Sequence, residues 1–63
     1  MKIHKLYDRQ IKLEEAIKVK KEVAIENIEQ KNLVPAMWDI FEMVDLKAQL
    51  GLLLEIIEEN KEE

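Results

Sequence analysis

Apolar residues recur every three to four positions along most of this chain, in two long runs parted by Lys31-Asn32-Leu33-Val34-Pro35. That spacing is the signature of amphipathic helices. The first run is rich in Glu, Lys, Ile and Ala and holds no Gly or Pro. The second is similar, with Gly51 its one interior weak spot. Asp8 has the side chain of a helix cap, which predicts a first helix over about residues 8–31. Met1–Tyr7 is then an extended arm; without the cap, the helix starts near residue 3. Asn32 suits the left-handed residue that closes a helix, with Leu33 after it touching Ile28. Pro35 disfavours a helical Val34 and suits the first position of a new helix. The turn is therefore placed at 32–34 and the second helix at about 35–60. So short a connection makes antiparallel neighbours, so residues 1–63 read as a single all-α helical-hairpin domain.

The two helices distribute their apolar residues differently. On a wheel of about 100° per residue, Ile3, Leu6, Leu13, Ile17, Ala24 and Ile28 form one stripe on the first helix, an ordinary core face. The second helix has two such faces. Met43, Leu46, Leu50, Leu53, Leu54 and Ile57 make one, and Met37, Ile40, Phe41, Val44, Ala48, Gly51 and Leu52 make the other. Glu42, Asp45 and Gln49 form a polar seam between them, and only Lys47 and Glu58 lie opposite. A helix apolar over most of its circumference must be covered on more than one side. A hairpin covers one. The second face is thus the expected oligomer interface, and two hairpins are expected to pair into a homodimeric four-helix bundle. Val44, Ala48 and Gly51 are small enough to let helix backbones approach closely there.

Size sharpens this expectation. A chain of sixty-three residues buries only about 60% of its unfolded surface, and such cores supply no more than about 3–5 kcal/mol. Small scaffolds add a disulfide, a metal or a partner. Cysteine is absent and His4 is the only histidine, so no cofactor or metal is expected and oligomerisation remains. The lack of cysteine, of a secretory leader pattern and of any run of about 18 apolar residues predicts a cytoplasmic protein without a membrane partner.

Charge is unevenly placed within the net −4. Residues 1–31 carry eight Lys/Arg against six Asp/Glu, and residues 32–63 carry two against eight. Lys2, Lys5, Arg9, Lys12 and Lys20 form a basic strip on the first helix. In an antiparallel hairpin this strip is expected to lie beside Glu55, Glu58, Glu59 and Glu62. The same strip is the candidate face for RNA or DNA, although a pI near 5.0 is low for a nucleic-acid module.

Catalysis is not expected. The chain has no Cys, Ser or Thr, and its one His lies near an end. What remains is protein binding. Trp38 falls beside Glu42 and Asp45, and these three are the partner-binding candidates. The expected function is a small non-catalytic interaction or regulatory module, an adaptor or an inhibitor of the kind mobile elements such as phages encode. The alternatives are a nucleic-acid-binding regulator using the basic strip and a helical subunit of a hetero-complex.

Overall fold

The computed structural model describes residues 3–61 as two helices, α1 (Ile3–Glu29) and α2 (Leu33–Lys61), packed antiparallel. The hairpin is a rod of 49 × 15 × 12 Å with a radius of gyration of 14.6 Å. A globular chain of this length would have about 11 Å.

One pattern runs the length of both helices. The half-buried and buried positions of α1 are Ile3, Leu6, Gln10, Leu13, Ile17, Lys20, Ala24 and Asn27, with Ala16 beside them. Those of α2 are Ala36, Asp39, Met43, Leu46, Leu50, Leu53, Ile57 and Asn60. Apart from Ala16, the steps alternate strictly between three and four residues, which is the 3.5-residue repeat of a coiled-coil seam. The seam is graded along its length. Away from the turn, Leu13, Leu53 and Ile57 are buried and Ile3, Leu6, Leu46 and Leu50 pack against them. Near the turn it narrows to Ala24 and Ala36, both buried. Small side chains there let the helices close up where the turn draws them together.

The turn departs from the sequence expectation by one residue. Lys31, not Asn32, takes the left-handed conformation, at φ 63°. The Asn32 N–H donates to the Asn27 carbonyl at 2.7 Å and the Lys31 N–H to the Ile28 carbonyl at 3.0 Å. These are the two hydrogen bonds of a Schellman motif. Asn32 is left free for a second task, because its carbonyl accepts the Ala36 N–H at 3.2 Å and so opens α2. Leu33 and Val34 are therefore helical rather than part of the turn, and Pro35 is the third residue of α2 rather than its first. Proline is tolerated there because the N–H it lacks falls in the first turn, where no intrahelical acceptor exists.

The start of α1 also differs. Asp8 is an exposed residue within the helix and caps nothing, and residues 3–7 are helical rather than an arm. Ile3 and Leu6 lie on the seam and pack against the buried cluster, which favours a helix that reaches them. Met1 and Lys2 lie outside the described residues.

Two substitutions test this account by thermal unfolding followed by circular dichroism. Leu53→Ala removes a central residue of the buried cluster and is expected to cost about 2–5 kcal/mol, which leaves a domain of this size largely unfolded. Lys31→Gly relieves a left-handed side chain and is expected to gain roughly 1 kcal/mol, raising Tm by about 4–8 °C.

Candidate association surface

The seven residues expected to form an interface are all exposed on α2, six of them away from α1 and Ile40 at the edge of the hairpin. Leu52 is 63% exposed and Val44 59%. Met37, Ile40 and Phe41 are bare as well. A Cβ placed on Gly51 would meet nothing within 4 Å. Glycine costs about 1 kcal/mol relative to alanine in a helix interior, and no contact within the hairpin requires it at this position.

Aromatic residues border this face at the turn end. Trp38 is 63% exposed and meets Phe41 edge to face, with ring centroids 6.1 Å apart at 76°. The stacking holds the pair in place while leaving both outer surfaces to solvent. The apolar area continues along one edge of the hairpin. Tyr7 and Ile28 follow the seam residues Ile3 and Ala24 by four positions, and Ile40 and Leu54 follow Ala36 and Leu50 likewise. In an antiparallel pair these positions border the same edge. Tyr7, Ile28, Ile40 and Leu54 are exposed on it, with Glu14, Lys21 and Lys47 between them. Ile28, 49% exposed, and Leu54 therefore do not belong to the core faces expected for them. The opposite edge mixes Arg9, Gln30, Glu42 and Gln49 with the exposed apolar residues Val23 and Ile56.

The other two partner-binding candidates are engaged within the chain. Glu42 accepts an ion pair from Lys20 at 2.7 Å. Asp45 accepts a hydrogen bond from Gln49 Nε2 at 3.0 Å, one turn along α2. Lys20 was expected on the basic strip, but the seam carries it. Its Nζ also lies 3.8 Å from Asp39, whose side chain is only 13% exposed. Asn27 Nδ2 donates to the second oxygen of Asp39 at 2.9 Å. Lys20, Asn27, Asp39 and Glu42 thus form a polar cluster across the narrow end of the seam, a feature the helical wheel did not reveal.

Of the remaining strip, Lys5, Arg9 and Lys12 are exposed on α1. Among the described residues none of them pairs with Glu55, Glu58 or Glu59, contrary to the charge pairing expected between the two helices. Lys5 and Lys12 project from outer positions of α1, and Arg9 from one edge of the hairpin. Lys2 and Glu62 lie outside the described residues. The described residues hold no pocket and no group of three or more His, Cys, Asp or Glu placed to hold a metal. No described helix is long and apolar enough to cross a membrane.

The hydrogen bond to Glu42, aided by the charges of Glu42 and Asp39, raises the Lys20 pKa above its ordinary 10.5, against a smaller opposing effect of desolvation. A raised folded-state value means the pairing contributes in full below pH 10.5 and is lost as pH climbs through the folded value. Stability is therefore expected to fall at alkaline pH more steeply in the native chain than in Lys20→Met, measured by urea unfolding between neutral pH and pH 11. No family model, curated protein or solved structure matches this chain.

Proposed function

We propose that this chain is a small non-catalytic interaction or regulatory module that works by association, with the outer face of α2 as its contact surface and a homodimeric four-helix bundle as its assembled form. The observation that carries this reading is the exposed apolar face that runs from Val34 through Phe41 and Val44 to Leu52. Isolated apolar residues on a surface need no explanation, but a contiguous strip over about five turns of a helix, from Val34 to Leu52, marks a site of contact. Tyr7, Ile28, Ile40 and Leu54 add a smaller exposed apolar edge beside the α1–α2 seam. The residue inventory supports the absence of catalysis, since Ser, Thr and Cys are missing and His4 is exposed.

A second reading has one observation in its favour. Lys5, Arg9 and Lys12 are exposed and, among the described residues, pair with none of Glu55, Glu58 and Glu59, a basic surface that phosphates could meet. The net charge of −4 and the loss of Lys20 from the strip weigh against it.

Sedimentation or light scattering across a range of concentrations tests the first reading. The expected mass is twice 7.5 kDa, with a Tm that rises with protein concentration. A monomer at high concentration overturns it and leaves the face for a different protein, as a subunit of a hetero-complex. Passage over a polyanion column separates the readings again. An acidic module is expected to flow through, and retention that falls steeply with salt supports nucleic-acid binding.

A further inference from the structure

The outer face of α2 has its own heptad seam. Val34, Met37, Phe41, Val44, Ala48 and Gly51 alternate in steps of three and four, on the side of α2 away from α1. The seam tapers, with larger side chains toward the turn and Ala48 and Gly51 at the far end. The next two positions in the same register are Glu55 and Glu58.

We infer that this seam binds a second copy of itself antiparallel, about a two-fold axis between Phe41 and Val44. This rests on the self-association reading above and adds its orientation. In this register Val34 meets Gly51 of the second copy, Met37 meets its Ala48, and Phe41 meets its Val44. Every large residue finds a smaller one, and the apolar stretch is used from end to end. A parallel pairing would stack Phe41 on Phe41 and Gly51 on Gly51, crowded at one end and empty at the other.

Charge points the same way. Parallel helices would set Glu55 and Glu58 against their own copies in the seam, and like charges at such positions are destabilising. Antiparallel helices carry the two acidic ends to opposite ends of the dimer. Each then overhangs the other copy's turn, where Lys31 is exposed and where the first turn of α2 has no acidic residue of its own. A carboxylate is favoured beside such a helix N-terminus. Trp38 and Asp45 flank the seam on the same side, so the register sets Trp38 about 3 Å along the axis from Asp45 of the second copy.

The hairpin leaves more surface bare than a compact chain would. The chain exposes 5126 Å². A compact monomer of 7.5 kDa exposes about 4200 Å². The excess is spread over both helices of the rod, and the outer face of α2 is one part of it.

The absence of cysteine makes the orientation directly testable. Met37→Cys and Ala48→Cys are prepared separately, checked for helix content and mass, then mixed and oxidised. Residues 37 and 48 oppose each other across the proposed dimer. Two copies of residue 48 would stand about 16 Å apart along the axis, beyond the roughly 7 Å a disulfide can bridge. The expected result is a disulfide dimer in the mixture and none in Ala48→Cys alone. Should either variant fail to fold or dimerise, Val34→Cys with Gly51→Cys tests the same register. A dimeric native chain whose Ala48→Cys variant crosslinks alone overturns the antiparallel orientation and leaves self-association standing. A dimeric native chain with no crosslink in either pair overturns the seam itself. A monomeric native chain overturns both this inference and the reading beneath it.

Discussion

Burial of Leu13, Leu53 and Ile57 against Ile3, Leu6, Leu46 and Leu50 is the contact on which the rest of the hairpin depends. It lies at the end of the rod away from the covalent connection, where nothing else holds the helices together. Without it α1 would have no reason to begin at Ile3, and the far half of α2 would be an isolated helix. Isolated helices shorter than about 12–15 residues are marginal in water, and longer ones still draw most of their stability from tertiary packing. The seam supplies that packing, but a single seam between two helices covers only one side of each. The exposed outer face of α2 follows directly from the architecture.

At the other end, the turn and the polar cluster do a different kind of work. The Schellman hydrogen bonds end α1, and Asn32 opens α2 in the same three-residue connection. Just beyond it, Ala24 and Ala36 bring the backbones close. Such a narrow seam gains little from burial and would tolerate a slip by one heptad. Lys20, Asn27 and Asp39 discriminate against it, since a slipped register would leave Asp39 half-buried without its donors. Partly exposed pairs of this kind add only about 0–1 kcal/mol each, but an unpaired buried carboxylate costs considerably more. The cluster is therefore better understood as fixing alignment than as adding stability.

The two helices, the break between them and the surplus face of α2 were all legible in the residue pattern. The errors have a common physical origin. An ideal helical wheel drifts by about 20° per heptad from a 3.5-residue seam, and over the four heptads of α1 this approaches a full quarter turn. Ile28 aligns with Ile3 on the ideal wheel and so entered the core stripe, yet it stands at the edge of the real seam and is exposed. Lys20 aligns with Lys2 by the same arithmetic and so joined the basic strip, yet it sits in the seam. The helix boundaries failed for a different reason, because local preferences were read without their tertiary competitors. Asp8 is a good cap, but the burial of Ile3 and Leu6 outweighs it. Asn32 accepts the left-handed conformation readily, but it is needed one step later to start α2, which leaves that conformation to Lys31.

In the association proposed for this chain, folding and binding would be coupled. A core worth about 3–5 kcal/mol leaves a hairpin of this size near its threshold, and any partner bound only by the folded form adds RT ln(1 + [L]/Kd) to that margin. The outer face of α2 is suited to this because it is formed by the same helix that carries the larger share of the buried seam. Phe41 and Val44 can be presented as one strip only while Leu46, Leu50 and Leu53 hold α2 against α1. Loss of the seam dissolves the association face, and occupation of that face in turn opposes the fraying of α2. Gly51 fits this coupling as well: it weakens α2 in the isolated hairpin, where nothing packs on it, and it is open where a partner's side chain would enter. In the proposed dimer that cost would be offset by the side chain packed against Gly51, which would favour the assembled form of the fold.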